Sequence, residues 1–260
     1  MKKRNLVVVI LAAGKGKRMK SALPKVLHTL DGRPLIRWVL DTAERLGPRR
    51  IVVVVGFGGD MVRENLKNEN TNERVSFAVQ SEQRGTAHAV MQAVDALGSF
   101  DGNIMVLSGD VPLIKTETLR MFLDFTSEHK SSAAFLSAEV DDPAGYGRVV
   151  RGENGEVISI VEQSDADSAQ KMIKEINGGV YLFDGRFLTE ALKNITDGNV
   201  QNEYYLTEII KIAYASGLAV SALKIGDADQ LSGVNSTKEL EQLNLLLVSR
   251  KKEDARCRGW

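Results

Sequence analysis

The stretch Asn5–Lys25, NLVVVILAAGKGKRMKSALPK, constrains this chain more than any other. It opens with an apolar run, Leu6–Leu11, in which Val7, Val8, Val9 and Ile10 are β-branched. A short continuous run of that kind suits a strand covered on both faces, which demands layers above and below it and so an α/β architecture. The run then passes through Ala12 and Ala13 into a glycine-rich loop carrying Lys15, Lys17, Arg18, Lys20 and Lys25. Gly14 and Gly16 remove side chains where a ligand would approach the backbone. A buried strand emptying into glycines and cations is one way α/β proteins hold phosphates. A solvated basic loop would carry the same residues, and this stretch alone does not separate the two.

Counting tests two familiar versions of such a loop. A dinucleotide fingerprint needs glycine at its first, third and sixth positions; Gly14 and Gly16 fit, but the sixth position is Met19. A Walker-type loop needs Gly-Lys-Ser/Thr after four intervening residues. From Gly14 that glycine would be Met19, and from Gly16 it would be Ser21. Neither a hydride-transfer cofactor nor a P-loop NTPase is expected.

Acidic and basic residues balance at 34 each over 260 residues, so no global field draws in nucleic acid or an anionic membrane. The single cysteine, Cys257, excludes an intrachain disulfide and a CxxC metal site. His28, His88 and His129 are scattered and form no paired zinc-ligand motif. The apolar run is at the short end for a signal peptide core and is followed by charge rather than a small-residue cleavage site. No stretch is long enough for a transmembrane helix. A soluble cytoplasmic protein is expected.

Along the first half, helix and strand alternate. Helical spacing of Leu35, Trp38, Val39, Ala43 and Leu46 predicts a helix over Pro34–Leu46, stopped by Gly47-Pro48. Ile51–Val55, Val75–Val79 and Asn103–Leu107 read as buried strands, with helices around Asp60–Leu66 and from Gly85-Thr86 to Leu97. Such alternation predicts a Rossmann-like, mainly parallel sheet flanked by helices, with ligands outside the carboxyl ends of its strands. That rule alone gathers Leu11–Lys25, Gln80–Thr86 and Asp110 into one crevice.

The second half reads as antiparallel material forming a small substrate-binding lobe over the sheet. Ser131–Glu139 is a predicted strand; Val149–Arg151 and Val157–Glu162 flank an Asn154-Gly155 hairpin turn. A short polar helix over Asp165–Ile173 precedes a strand at Gly178–Phe183. Helices at Arg186–Asn194 and Tyr205–Ala215 lead to a strand at Ala219–Ile225 and a last helix, Ser236–Val248. The charged tail from Ser249 to Trp260 is expected to fray.

Eight motifs in fixed order carry a resemblance: Leu11–Met19 with Leu23-Pro-Lys-Val-Leu27, Gln80–Ala89, Gly109-Asp-Val-Pro-Leu113, Gly145-Tyr-Gly-Arg148, Ile160-Val-Glu162, Glu175-Ile-Asn-Gly178, Glu203-Tyr-Tyr-Leu-Thr207 and Gly233-Val-Asn235. The chain resembles the sugar-phosphate nucleotidyltransferases. Within them it is most similar to the uridyltransferase domain of the bacterial bifunctional N-acetylglucosamine-1-phosphate uridyltransferase/glucosamine-1-phosphate acetyltransferases. The similarity runs from about Leu6 to Leu247. It implies a nucleotidyltransferase domain over residues 1–248, with a nucleotide-binding half to about 130 and a sugar-binding half over 131–235. The family's hexapeptide-repeat acetyltransferase half has no counterpart here, and since the family trimerises mainly through that half, the resemblance leaves the oligomeric state open.

The implied reaction joins UTP and N-acetylglucosamine 1-phosphate with Mg²⁺, giving pyrophosphate and UDP-N-acetylglucosamine, a precursor of peptidoglycan. Neither nucleic acid nor membrane is an implied partner. The nucleophile is already an anion, so the chemistry needs positioning and charge neutralisation rather than a general base. The resemblance puts Leu11, Ala12, Ala13, Gly14 and Gly16 along the nucleotide, Arg18 on its outer phosphates, and Lys25 near the α-phosphate and the sugar phosphate. Gln80 would read the uracil edge, supported by Gly85 and Thr86. Asp110 and Asn235 would hold the metal, though Asp110 could instead cap a helix near Thr116, and Asn235 one at Ser236. Gly147, Glu162 and Asn177 would meet the sugar, with Tyr205 and Thr207 lining the same pocket. Lys17, Ser108 and Glu208 depart from residues usual in the family. Rival readings are transfer to another sugar 1-phosphate or from another base, and a non-catalytic nucleotide-sugar binder.

Overall fold

In the computed structural model, which describes residues 5–67, 74–98 and 100–257, the opening apolar run forms β1 (Leu6–Ala12). The basic loop after it is pinned by two short 3-10 turns, Lys17–Met19 and Lys25–Leu27. A small hairpin, β2 (Thr29–Leu30) with β3 (Arg33–Pro34), leads into α1 (Leu35–Glu44). The alternation then continues through β4 (Arg50–Val55), α2 (Gly59–Lys67), β5 (Val75–Val79), α3 (Thr86–Leu97), β6 (Asn103–Ser108) and α4 (Thr116–Glu128). The second half contributes β7 (Ala133–Glu139), β8 (Arg148–Arg151), β9 (Val157–Val161), α5 (Ser168–Lys171), β10 (Glu175–Asp184), α6 (Gly185–Leu192), α7 (Glu208–Ala215), β11 (Val220–Lys224) and α8 (Thr237–Cys257).

Alternation of side chains along β1 explains the layers. Val8 and Ile10 point into a core with α1, α2 and α4, through Ile36, Val62 and Phe122. Val7 and Val9 point into the opposite core with α3, α6 and α7, through Val90, Leu188 and Ile209. Val8, Val9 and Ile10 are each 0% exposed, and each such side chain contributes about 1.5–3 kcal/mol by leaving water. β1 pairs in parallel with β4 and β6, and β4 in parallel with β5. The crevice expected at their carboxyl ends follows from this register.

The structure corrects the sequence reading of the second half. β7, β10 and β11 do not form a separate lobe: they extend the main sheet, whose order is β11-β7-β10-β6-β1-β4-β5. β10 pairs antiparallel with both β6 and β7, and β11 parallel with β7. The antiparallel lobe is narrower, the β8–β9 hairpin attached to β10 at the Ile176–Arg148 pair. Because β10 runs against β6, Gly179 comes level with Ser108 at the carboxyl end of β6, and Glu175–Gly178 run on past that end. The ladder to β7 shifts register between Asn177 and Tyr181, so Gly178 and Gly179 sit in a bulge within the strand rather than at its start.

Three helical limits also differ. α7 begins at Glu208 rather than Tyr205. α5 covers only Ser168–Lys171, its start set by a capping box between Asp167 and Gln170. At the other end, α8 does not stop at Val248 but continues to Cys257; residues 258–260 lie outside the described residues. Arg250 bonds to Asp227 and Asp229, each at 2.7 Å, which anchors a stretch whose charges had suggested fraying. Among the described residues, no helix is long and apolar enough to cross a membrane.

Candidate functional site

A cleft of about 530 Å³ opens at the carboxyl ends of β1, β5 and β6. Its lining includes every nucleotide-side residue expected from the sequence: Leu11, Ala12, Ala13, Gly14, Gly16, Gln80, Gly85 and Thr86. Arg18, Lys25, Asp110 and Asn235 line it as well. Gly16 has a left-handed backbone (φ +62°), and a Cβ there would stand 2.8 Å from the Cβ of Lys25. Only glycine therefore lets the loop fold tightly against the Lys25 segment. Arg18 is exposed, and the Lys15 ammonium sits over the Phe57 ring at 5.3 Å.

On one wall of the cleft, three residues distant in sequence converge. The Lys25 ammonium donates to a carboxylate oxygen of Asp110 and, at 3.0 Å, to the Asn235 side-chain oxygen. Lys25 and Asp110 are each only 16% exposed, so the pair works in a low-dielectric setting. The alternative capping roles are ruled out by geometry. Lys115 occupies the cap position of α4, and no side chain caps that helix. At α8, Ser236 and Glu239 exchange the two bonds of a capping box, and Glu239 also accepts from the Asn235 backbone N–H. Both side chains are thus released from helix capping and face a common point. A hard cation needs such a set of oxygens, and a cationic group already stands between them. Among the described residues, no cluster of three or more His, Cys, Asp or Glu is present, so any metal here would rely on substrate oxygens and water for the rest of its shell.

The base end of the cleft is built around Gln80, which is buried at the end of β5. Its side-chain nitrogen lies 3.0 Å from the Gly85 carbonyl oxygen and 3.1 Å from His88 Nδ1. Gly85 adopts φ +105°, and the Glu203–Tyr205 segment closes over it: a Cβ on Gly85 would meet the Tyr204 carbonyl oxygen at 2.6 Å. The Ala87 N–H donates to that same oxygen at 2.8 Å. Arg84 clamps the segment from outside, stacking on the Tyr204 ring at 4.8 Å and donating to its hydroxyl.

The residues expected at the sugar form a second group under the β8–β9 lobe. Asn177 N–H donates to the Gly147 carbonyl at 2.9 Å, and a Cβ on Gly147 would stand 3.6 Å from both Asn177 and Glu162. Thr207 donates its hydroxyl to Glu162 at 3.0 Å, and Asn177 donates to the Tyr181 hydroxyl at 2.6 Å. Burial pushes the Glu162 carboxyl above the usual carboxylate range; the Thr207 bond opposes this, and the charges of Asp165 and Glu203 add to it. Tyr205 belongs less directly to the group: it is buried, and its hydroxyl is engaged with Asp165 and Gln201. Gln83, Gln201 and Glu203 also line the cleft without having been singled out. Gln83 and Glu203 belong to the Gln80–Ala89 and Glu203–Thr207 motifs, whereas Gln201 carries no sequence signal.

An α/β sheet with a glycine-rich basic loop, a buried amide and a lysine–carboxylate–carboxamide cluster at one edge has the features of the nucleotidyltransferase class. A family model for nucleotidyl transferases matches residues 7–229, and the chain belongs to that family. It is 44% identical over 96% of its length to the bifunctional protein GlmU of Pelotomaculum thermopropionicum, and 43% identical over 96% to that of Enterococcus faecalis. It spans about half the length of these curated relatives, 54% and 53% respectively. A crystal structure from Bacillus anthracis, provisionally assigned as a glucose-1-phosphate thymidylyltransferase, shares the fold with a TM-score of 0.71 at 20% identity, covering 93% of this chain and 94% of that one.

Proposed function

We propose that this chain transfers UMP from UTP to N-acetylglucosamine 1-phosphate, giving UDP-N-acetylglucosamine and pyrophosphate. The observation that carries the proposal is the meeting of Lys25, Asp110 and Asn235 in the same cleft as Gly16 and Gln80. An oxygen of the sugar phosphate attacks the α-phosphorus of UTP. The new P–O bond forms as the bond to the β-phosphate oxygen breaks, and both electrons of that bond leave with pyrophosphate. No proton has to be removed from the nucleophile, which accounts for a site rich in cations and without a catalytic base.

The backbone N–H groups of Gly14 and Gly16 face the triphosphate. Arg18 offers a planar fork to the outer phosphates, and Lys25 neutralises the α-phosphate and the incoming sugar phosphate. Nucleotidyltransferases of this family generally use a divalent metal; here Asp110 and Asn235 would hold Mg²⁺. When bound, that ion offsets phosphate charge and fixes the orientation of the triphosphate. The Lys25 ammonium shares those oxygens in the free protein and is thereby held within reach of the phosphates. Gln80 and Gly85 take the uracil, with Thr86 beside the ribose. Glu162, Asn177 and the Gly147 backbone take the sugar hydroxyls and acetamido group, with Thr207 and Tyr205 buttressing them. Residues up to about 248 form the nucleotidyltransferase unit, and the substrates suit a cytoplasmic enzyme.

Pyrophosphate release across a panel of nucleoside triphosphates and sugar 1-phosphates tests this reading. UTP with N-acetylglucosamine 1-phosphate should give the highest kcat/KM, by about tenfold or more over glucose 1-phosphate, because an acetamido-binding group is left unpaired by glucose. Preference for dTTP or glucose 1-phosphate would overturn it. Binding of UTP in Mg²⁺ without turnover on any sugar phosphate would point to a non-catalytic binder.

A further inference from the structure

Gln80 cannot by itself select uracil, because a carboxamide presents a donor or an acceptor depending on a 180° rotation. In this structure the rotation is fixed. The Gly85 carbonyl can only accept, so the Gln80 atom 3.0 Å from it is the nitrogen. That nitrogen carries a second N–H, and it lies 3.1 Å from His88 Nδ1, two residues into α3. Both amide donors are spoken for within the protein, and the Gln80 carbonyl oxygen is the polar atom left to face a base.

We infer that His88 is a positioning residue for base selection: its unprotonated Nδ1 holds the Gln80 amide so that only an acceptor meets the nucleobase. The inference rests on the uridylyl-transfer reading. Uracil offers N3–H to an acceptor, whereas cytosine offers the N3 lone pair and would need a donor in the same place. Turning the Gln80 amide to suit cytosine breaks two hydrogen bonds. It also sets the amide oxygen against the Gly85 oxygen and the Nδ1 lone pair, and Gln80 is only 3% exposed. Without the His88 acceptor, the same turn breaks one bond, so discrimination weakens. His88 lies on a helix whose start is fixed by Gly85 and by the Ala87-to-Tyr204 backbone bond. Its ring lies tilted to that of Tyr204, with the centroids 6.4 Å apart.

The test compares the ratio of kcat/KM for UTP to that for CTP, with N-acetylglucosamine 1-phosphate as acceptor, in wild type, His88→Leu and His88→Asn. Asparagine can place an amide oxygen near the Nδ1 position; leucine offers no acceptor. The ratio should fall about tenfold or more in the leucine variant and stay within about threefold of wild type in the asparagine variant. If leucine prevents folding, His88→Ala is read in the same way. A leucine or alanine variant that loses activity equally on both nucleotides, with the wild-type ratio intact, overturns the inference. ¹⁵N chemical shifts of the His88 ring give a readout independent of turnover. They should report the neutral tautomer with bare Nδ1 and protonated Nε2, and the opposite tautomer overturns the inference whatever the enzyme prefers. A wild type that favours CTP overturns the uridylyl reading instead.

Discussion

Replacing Gly85 by alanine tests how the base end of the cleft is assembled. Gly85 has φ +105° and ψ 176°, a region that essentially only glycine enters, and holding another residue there costs about 1–3 kcal/mol. The added methyl would also meet the Tyr204 carbonyl oxygen at 2.6 Å and its nitrogen at 2.7 Å. Both are backbone atoms, so relief requires the Glu203–Tyr205 segment to shift, and overpacking of this kind typically costs about 1–3 kcal/mol. Together these give roughly 2–6 kcal/mol, or a fall in Tm of roughly 4–24 °C for a domain of this size at about 2–4 °C per kcal/mol. The movement also pulls the Tyr204 oxygen from the Ala87 N–H and the Gly85 oxygen from Gln80, so UTP binding should weaken along with stability. Calorimetry of the free protein and titration with UTP measure the two effects. A Tm within 2 °C of wild type, with unchanged UTP affinity, would refute this account of the loop contact.

Two further substitutions separate charge from packing. Asp110→Asn keeps the shape and an acceptor for Lys25 but removes the ionised oxygens; turnover should drop about 10²–10³-fold while Tm moves by only a few degrees. Turnover within threefold of wild type at saturating Mg²⁺ would remove Asp110 from the metal site. Glu162→Gln addresses the raised carboxyl. Folding raises its pKa, so the native state holds the proton more tightly than the unfolded chain, and stability declines as pH rises from the ordinary glutamate range through the folded value. The variant should therefore exceed wild type in Tm above that value, by roughly 1–8 °C, with the gain vanishing in acid. Its KM for the sugar phosphate should rise in exchange, and a variant less stable than wild type at pH 8 would contradict the assigned burial.

Local signals carried the first half of the fold. β5 lies over Val75–Val79 as its apolar pattern predicts, and α3 begins beside Gly85 as expected. Alternating helices and strands place the ligand edge by topology, and all eight expected nucleotide-side residues do line one cleft. The second half was less legible because its strands are defined by partners rather than pattern. Gly178 reads locally as a strand boundary, yet β10 continues through it because β7 pairs with Glu175–Asn177 before it and with Tyr181–Phe183 after it. In the same way, the charges after Val248 suggest a frayed tail until Asp227 and Asp229 are brought beside Arg250. Spacing could not reveal that Lys25, Asp110 and Asn235 meet, since 85 and 210 residues separate Lys25 from its two partners. Nor could it show that both donors of Gln80 are already engaged, which changes that residue from a two-way reader into an acceptor.

The central claim is attack at the α-phosphorus of UTP by an intact sugar phosphate. Reaction of the 260-residue chain with UTP labelled with ³²P at the α position, N-acetylglucosamine 1-phosphate and Mg²⁺ tests it most directly. The label should appear in a sugar nucleotide and leave the released pyrophosphate unlabelled. Label in inorganic phosphate or in free UMP, with no labelled sugar nucleotide, would contradict it.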